Sequence, residues 1–411
     1  MKSNATSYCV VLCACILVAL GDIRSLISPA GYWAIWCLVG IFGYASKGCV
    51  FSFRVSPELF TYLAGFFMVV MSFVLSAIMN SDVATLYQGV KICCVAAIFV
   101  CIYIHAQHLE GRQFYAISVT VLCVGLLFFL MSKYAVPAFY VVLGDGRQGS
   151  LFAFPGVLWK TCAFFIGFVI VGMLFDGRAK KIAVTAFIIG FYLLIADSSR
   201  TGFIIFALVV FLMGLLGLYT RPKTVVGAFI VCVCAGILGL LLYSGGFTSM
   251  NPDDAPLVLD RLAAGDPVRM QMLVDGVAHS LECLPLGCGF GTTVSDVEGG
   301  VMVVHNAYLS SVGDLGLGGL MGLAILMFSP VLFFFTRLYK YSALKYKPAR
   351  DLAYAVAAFG GVAGYILLLM LHPFSTELSE WGIWIVMVSA LSVMSQRMTI
   401  DDPELKYQLG A

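Results

Sequence analysis

The chain carries very little charge for its length. Of its 411 residues only 11% are charged, whereas 61% are hydrophobic, and the mean hydropathy is +0.99. This composition is typical of a polytopic membrane protein and excludes a soluble enzyme. The longest stretch without a predicted spanning helix runs only from about 244 to 314. We therefore expect no separate soluble domain, and membrane lipids rather than nucleic acid as surroundings.

Several chemical signatures are also missing. No predicted span has an Asp or Glu near its middle, which a proton-coupled transporter often has. The histidines, cysteines and carboxylates do not have the spacing of a metal site, so we expect neither a metal nor another cofactor. The glycine-rich stretch 287–291 is too loose for a nucleotide loop, and no strand is predicted before it.

Apolar stretches long enough to cross a bilayer recur along the chain. A window of about 20 apolar residues, with short tilted spans tolerated, predicts about twelve helices. These are residues 7–20, 31–46, 59–79, 88–104, 114–131, 157–175, 182–196, 202–219, 224–243, 315–336, 352–371 and 381–395. The predicted fold is all-α, with nine membrane helices in 1–243, a polar segment in 244–314, and three helices and a short tail in 315–411.

Basic residues are distributed unevenly between the two predicted sides. With the N-terminus inside, 16 of the 24 Lys and Arg residues fall in inner segments, which leaves 8 outside. Because basic residues concentrate in cytoplasmic loops, both termini are predicted to be cytoplasmic and the polar segment to lie on the outer face. An odd number of helices would break this agreement.

Two arginines occupy the first turns of predicted helices on the outer face. Arg200 follows Asp197-Ser198-Ser199, and Arg269 follows Asp266-Pro267. A cation in the first turn opposes the helix dipole, but a bound anion would explain it, since free N–H groups and a guanidinium can converge on one negative ligand. A single such arginine could instead snorkel to lipid headgroups. Two on one face favour a polyanionic substrate.

The polar segment contains a predicted amphipathic helix. Asp266 can cap it with Pro267 at its first position. An apolar stripe at helical spacing follows, formed by Met270, Leu273, Val274, Val277 and Leu281. This pattern indicates a helix that lies against the membrane domain and ends at Pro285-Leu286-Gly287, with Arg269 off the stripe.

Two of the fourteen cysteines differ from the others. Twelve lie in or beside apolar spans and are interpreted as small hydrophobic residues. Cys283 and Cys288 fall in the polar segment, where an oxidising compartment would allow a bridge between them. Free thiols are favoured.

His305 closes the polar segment just before the tenth predicted span. Its ordinary pKa near 6.5 suits a general base, although most isolated histidines are structural or solvated. It shares the outer face with Arg200 and Arg269, so the three could meet at one cavity. Glu377 or Glu380 in the last outer loop could orient it, but we expect both to be solvated loop carboxylates.

Taken in order, these motifs resemble the O-antigen ligase and polymerase superfamily of bacterial envelopes. The matching residues are Ser199-Arg200-Thr201-Gly202, Arg269 ahead of Pro285-Leu286-Gly287-Cys288-Gly289-Phe290-Gly291, His305-Asn306-Ala307-Tyr308-Leu309, and Arg147-Gln148-Gly149-Ser150-Leu151-Phe152 followed by Pro155. The similarity covers roughly residues 145 to 395. Each motif is weak alone, whereas order, spacing and sidedness together are fairly specific. Gln271 and Met272 depart from the pattern, because many relatives have an aromatic residue there.

The resemblance implies a metal-independent glycosyltransferase of the membrane C-type class. Its donor would be a glycan on undecaprenyl pyrophosphate, and its acceptor a sugar hydroxyl of lipid A-core at the periplasmic face of the bacterial inner membrane. Arg200 and Arg269 would then compensate the pyrophosphate charge, while His305 takes the acceptor proton. The further candidate substrate-binding residues are Arg147, Asn306, Tyr308 and Arg261.

Three alternatives stay open at this point. An O-antigen polymerase would share the donor and the arginines but take a second lipid-linked glycan as acceptor; twelve helices with one dominant outer segment modestly favour the ligase. A protein O-oligosaccharyltransferase would be expected to carry a sizeable extra outer domain. A twelve-helix transporter or lipid flippase would place ionisable residues near the membrane midplane, whereas here they gather at one face.

Overall fold

The chain folds mainly into helices. The structure, a computed structural model, describes residues 2–46, 56–143, 146–176, 180–220, 222, 267–297, 300–342 and 349–400. The helices in these ranges are α1 (Lys2–Ala19), α2 (Arg24–Ile27), α3 (Pro29–Ala45), α4 (Pro57–Asn80), α5 (Val83–Ala106), α6 (Gly111–Leu130), α7 (Leu158–Phe175), α8 (Lys180–Asp197), α9 (Arg200–Thr220), α10 (Pro267–Glu282), α11 (Ala307–Ser342), α12 (Ala349–Leu369) and α13 (Leu378–Ile400). A π-helical turn (Met131–Ala135) extends α6, and a short 3-10 helix (Pro137–Phe139) follows it.

Two short antiparallel hairpins interrupt the helical fold, and the sequence reasoning did not predict either. Strands β1 (Tyr140–Val142) and β2 (Gln148–Ser150) form the first, with Val142 opposite Gln148. Strands β3 (Val294–Val297) and β4 (Gly300–Val303) form the second, with Val297 opposite Gly300. Both lie in loops that were predicted to face outward.

Eight of the described helices are long and apolar enough to cross a membrane. They are α4, α5, α6 with its π-helical extension, α7, α9, α11, α12 and α13. The protein is therefore an all-α, multi-pass membrane protein, as predicted. Eleven of the twelve predicted spans coincide with described helices, and the ninth, at 224–243, lies outside the described residues.

Helix α13 lies at the centre of the bundle. In the apolar, membrane-spanning part of this helix, 94% of the residues are buried. Trp384 on this helix packs against Phe99 of α5 and Phe66 of α4, with ring centroids 5.1 and 5.6 Å apart. Because α13 is enclosed by its neighbours, the loop that precedes it is held at a fixed place at the end of the bundle where α13 begins.

The predicted boundary at 314/315 falls inside a helix. Helix α11 begins at Ala307, two turns before the predicted tenth span, and runs on to Ser342. Asn306 caps it, since its Oδ1 accepts hydrogen bonds from the backbone N–H groups of Tyr308 and Leu309, both at 3.1 Å. The boundary instead coincides with a kink at Gly316, where φ is 73°.

The glycine-rich loop supports this kink. The N–H of Leu317 donates to the carbonyl of Pro285 at 2.9 Å. The buried carboxylate of Asp314 accepts from the N–H of Gly291 at 2.8 Å and from the N–H of Thr293 at 2.9 Å. A side chain at Gly316 would place a β-carbon 2.0 Å from the Pro285 oxygen. The loop after α10 is therefore a structural clamp on α11, because it satisfies backbone groups that the kink leaves free.

Cys283 and Cys288 are joined in a disulfide, so the expectation of free thiols was wrong. Gly287, with φ at +81°, turns the chain back between them and leaves their Cα atoms 5.3 Å apart. His279 lies on the preceding turn, with its Nε2 at 3.4 Å from the Cys283 sulfur.

Helix α10 begins at Pro267, as predicted, but packs through a different face from its apolar stripe. The buried residues on this helix are Met272, Gly276 and Ser280, and Ser280 donates to the carbonyl of Leu309 on α11 at 3.0 Å. The predicted stripe points away from the protein, with Val274 58% and Leu281 66% exposed. Small residues are needed on the packed face, because a β-carbon at Gly276 would lie 2.8 Å from Val304. Asp266 lies outside the described residues.

A buried ion pair ties the bundle together at the end away from the hairpins. Arg337 of α11 forms an ion pair with Glu58, which is only 7% exposed and lies in the first turn of α4. The same arginine donates to the carbonyl of Ser392 at 2.9 Å and to the hydroxyl of Ser395 at 2.6 Å on α13. Three helices therefore meet at one guanidinium.

Replacing Glu58 by Gln should lower the free energy of unfolding by about 3 to 5 kcal/mol, because it leaves the buried Arg337 charge without a counter-ion. The double variant E58Q/R337M should recover part of that loss. The control is Asp176→Asn, which breaks a 3.8 Å pair with the more exposed Arg350 and should cost about 1 kcal/mol or less. Unfolding in detergent micelles measures the free energy of unfolding of all three variants. Equal destabilisation by Glu58→Gln and Asp176→Asn would contradict a structural role for the buried Glu58–Arg337 pair.

Candidate functional site

Arg200 opens helix α9 directly after a two-residue turn. Ser198 takes a left-handed conformation (φ 52°) and its hydroxyl donates to the carbonyl of Ile195 at 2.7 Å. The hydroxyl of Ser199 accepts from the N–H of Gly202 at 3.3 Å, which makes Ser199 the helix cap. The predicted position of Arg200 in the first helical turn is confirmed.

The start of α9 lies against the start of α7. Gly202 packs so closely on Trp159 that a β-carbon there would be 2.8 Å from the tryptophan Cβ. Lys160, the next residue along α7, is therefore held at the same end of the bundle as Arg200. Lys160 of α7 and Arg200 of α9 thus place two cationic residues at the same end of the bundle.

Arg147 supports the turn before Arg200. Its Nη2 lies 3.0 Å from the Oδ1 of Asp197, and its Nε donates to the Asp197 carbonyl at 3.1 Å. The Asp197 side chain is fully buried and also accepts from the N–H groups of Gly156 and Trp159. From its sequence motif, Arg147 was predicted to bind substrate, and no role was predicted for Asp197. The structure places Arg147 where it fixes the turn that carries Arg200.

Arg269 faces the protein rather than the apolar stripe of α10. It precedes Met272, Gly276 and Ser280 by three, seven and eleven residues, which is the spacing of a single helix face. Since that face packs against α11, Arg269 lies on the side of α10 that faces the bundle.

His305 lies between strand β4 and helix α11 and is half-buried. Its Nδ1 is 2.8 Å from the carbonyl oxygen of Val303. A carbonyl can only accept, so Nδ1 carries the hydrogen in the neutral ring and Nε2 keeps its lone pair. Among the described residues, no hydrogen-bond partner is found for Nε2. This is the tautomer that a general base needs.

Two other predicted substrate-binding residues have structural contacts. Asn306 uses its Oδ1 to cap α11. The hydroxyl of Tyr308 donates to the carbonyl of Ile366 on α12 at 3.3 Å. Arg261 lies outside the described residues.

Two lysines on membrane helices pair with glutamates at the start of α13, and neither pair was predicted from the sequence. Lys160 lies 2.6 Å from Glu380 and its side chain is only 3% exposed. Lys91 of α5 lies 2.5 Å from Glu377, which also accepts from the indole N–H of Trp33 at 3.1 Å. The expectation that both glutamates are solvated was therefore wrong. Neither glutamate is bonded to His305 among the contacts of the described residues. The sequence feature that could have predicted the two ion pairs is a lysine inside an apolar helix, because a buried charge requires a partner.

His372 lies among these groups. Burial lowers its pKa to about 4, as do the positive charge of Lys160 and the nearby His305 and Arg269, while Glu380 opposes the shift. Side chains from four separate parts of the chain thus act on one imidazole. The structure therefore brings His305 and Arg269 into one electrostatic neighbourhood, together with Lys160 and Glu380, which were not predicted to belong there.

An open cavity of about 960 Å³ adjoins this neighbourhood. Burial raises the pKa of Asp22 in its wall, against the hydrogen bond from Phe154 and the charges of Arg24 and Lys160. The lining comprises Asp22, Arg24, Ser25, Leu26, Ser28, Pro29, Phe154, Pro155, Gly156, Val157 and Glu377. Two carboxylates and one guanidinium therefore face an open volume beside the Lys160–Glu380 pair.

One trio of described residues has the geometry of metal ligands. The ligand atoms of His279, Cys283 and Cys288 lie within 4.8 Å of one another. The two sulfurs are bonded to each other, so neither can ligate as a thiolate.

Comparison of the chain with protein-family models finds no match, and a search of curated proteins finds no significant match.

Replacing His372 by Gln should make the folded protein more resistant to acid. Folded His372 stays neutral down to a pKa of about 4, whereas the unfolded chain takes up the proton near 6.5. Stability that is fully present above about pH 6.5 is thus lost as the pH falls towards 4, by an amount on the order of 1 to 3 kcal/mol. Melting temperatures at pH 7.5 and 5 should differ less for H372Q than for the wild type. The exposed His108→Gln is the control, and an unchanged acid loss in H372Q would refute the prediction.

Proposed function

We propose that the protein is an O-antigen ligase, a metal-independent glycosyltransferase of the membrane C-type class. It would transfer a glycan from undecaprenyl pyrophosphate to a sugar hydroxyl of lipid A-core and so complete lipopolysaccharide. The observation that carries the proposal is His305 at the start of a membrane helix with an available Nε2 lone pair, and the charge of Arg269 acts together with His305 on the neighbouring His372. The order of the motifs that resemble the ligase and polymerase superfamily supports it.

The proposed topology has twelve membrane helices, both termini in the cytoplasm, and the site at the periplasmic face of the bacterial inner membrane. The concentration of Lys and Arg in the inner segments supports this orientation. The disulfide between Cys283 and Cys288 supports it independently, because disulfides persist in oxidising compartments such as the periplasm.

The leaving group determines what the donor side must provide. When the bond between the anomeric carbon and the pyrophosphate oxygen breaks, the electron pair stays on the pyrophosphate, whose negative charge increases. Arg200 and Arg269 would stabilise this charge by charge-assisted hydrogen bonds from the first turns of α9 and α10. Arg147 contributes indirectly, by fixing the turn that precedes Arg200.

The acceptor side needs a base. The acceptor hydroxyl oxygen forms the new bond to the anomeric carbon, and its proton passes to the Nε2 of His305. The bond from Nδ1 to the Val303 carbonyl holds the ring in the required tautomer. The open cavity beside Lys160 and Glu380 offers room for the acceptor sugar, and Asp22, Arg24 and Glu377 supply groups that bind hydroxyls.

Substitutions should separate base catalysis from donor binding. His305→Ala should reduce single-turnover transfer by about 10² to 10⁴ with donor binding largely intact, because it removes the proton acceptor. Arg200→Ala and Arg269→Ala should weaken donor binding and transfer by roughly 10- to 150-fold, because each loses a charge-assisted hydrogen bond. Arg350→Ala, at the other end of the bundle, is the matched control. Purified protein with lipid-linked donor and core acceptor provides both readouts. Loss of donor binding with normal transfer at saturating donor would make His305 a binding residue.

Deletion of the gene tests the type of transferase. A ligase predicts that cells keep full-length lipid-linked polymer while lipopolysaccharide loses it. Lipid-linked single repeat units that fail to lengthen would indicate an O-antigen polymerase instead. Unchanged lipopolysaccharide would contradict both, and a transporter or lipid flippase, the remaining alternative, would then be tested.

A further inference from the structure

Helix α10 exposes an apolar face that no described part of the protein covers. Met270 and Leu281 are 65% and 66% exposed, and Leu273, Val274 and Val277 between them are 44 to 58% exposed. The helix has 16 residues and is therefore about 24 Å long. A contiguous apolar strip of this length is unusual on a surface in contact with water and indicates an interaction site.

This strip continues into the surface of a membrane helix. Leu284 follows α10 and is 40% exposed, and the hydrogen bond from the N–H of Leu317 to the carbonyl of Pro285 holds it beside α11. Leu317 and Met321, which lie on the spanning part of α11, are 47% and 55% exposed. Exposed apolar residues therefore extend from α10 through Leu284 to Leu317 and Met321, which lie on a helix that is long and apolar enough to span a membrane.

The second hairpin widens the same apolar surface. Strand β3 packs against α10, and its partner β4 is exposed along its whole length. Val301, Met302 and Val303 on β4 are 69%, 41% and 37% exposed. A strand with three adjacent exposed apolar residues is unfavourable in water, and β4 leads directly to His305.

We infer that α10 and strand β4 lie in the interface of the lipid leaflet on this side of the membrane, with the apolar face of α10 inserted among the lipids. Lipid fits this surface because the exposed apolar residues of α10 are followed by exposed apolar residues on the membrane helix α11, and because α10 is amphipathic. Such helices lie in the plane of the membrane with one face buried about 5 to 10 Å deep.

The inferred placement has a consequence for the site. Arg269 lies on the face of α10 that packs against the protein, about a quarter turn from the inserted stripe, so insertion would hold its guanidinium close to headgroup depth. A pyrophosphate attached to a membrane lipid lies at that depth. This step rests on the proposed function, whereas the insertion of α10 does not.

Depth-dependent fluorescence quenching tests the insertion. An environment-sensitive fluorescent amino acid is introduced by codon suppression at Val277, in the middle of the stripe, in full-length protein reconstituted into vesicles. The matched control carries it at Gln271, which is exposed on the polar face of the same helix. Lipids with a nitroxide at carbon 5 of the acyl chain should quench the Val277 probe several-fold more than the Gln271 probe, and iodide in the buffer should show the reverse order.

Two outcomes would overturn the inference. Equal quenching of both probes by iodide, with little by nitroxide lipid, would place the stripe in water. A blue-shifted Val277 probe that neither quencher reaches would show that protein, such as a second copy of this chain, covers it. The readout requires no transfer activity, so a failure here is distinguishable from a failure of the proposed function. Val277→Lys should also weaken donor binding several-fold, whereas Gln271→Lys should leave it unchanged.

Discussion

The buried carboxylate of Asp197 is the interaction on which the end of the bundle that carries Arg200 depends. An isolated charge cannot stay in an apolar interior, so this carboxylate requires Arg147 and the N–H groups of Gly156 and Trp159. These contacts join the first hairpin, the start of α7 and the turn after α8 into one rigid unit. Arg200 follows that turn directly, so its position is set by an ion pair rather than by its own contacts alone.

The same requirement shapes the neighbouring site. The side chains of Lys160 and Lys91, on apolar helices, form ion pairs with Glu380 and Glu377. These pairs anchor the loop that carries His372. The loop also contacts α11, because the N–H of Phe374 donates to the hydroxyl of Ser310 at 3.1 Å. A pre-organised set of cations suits a reaction in which a pyrophosphate leaves, because the charges need not move when the new negative charge appears.

The sequence predicted helices correctly at eleven of the twelve proposed spans, because a long apolar run in a bilayer has one physical solution, a helix. It misplaced the start of α11, since Ser310 and Asp314 appear polar along the chain yet are satisfied by partners outside their own helix. Periodicity also identified the apolar stripe of α10 correctly but did not show which way it faces. The partner of Arg147 could not be predicted for a similar reason, because Asp197 lies fifty residues away along the chain and only the fold brings the two together.

Arg200, Arg269 and His305 were found from local features, namely a cation at a helix start and a lone histidine before a span. Their surroundings were not. His372 and Lys160 belong to the same electrostatic neighbourhood through interactions between segments that are distant in the sequence. No short sequence motif identifies either residue. Local chemistry therefore located the candidate groups, whereas their mutual orientation required the three-dimensional structure.

The central claim is that this site transfers a glycan from a lipid pyrophosphate without a metal. The most direct measurement uses the purified protein in vesicles with undecaprenyl pyrophosphate-linked glycan, lipid A-core and excess EDTA. The account predicts glycan on the core and release of one undecaprenyl pyrophosphate for each core modified, at the same rate with and without EDTA. Transfer that stops with EDTA and returns with a divalent cation would contradict it, as would donor that is bound but never transferred.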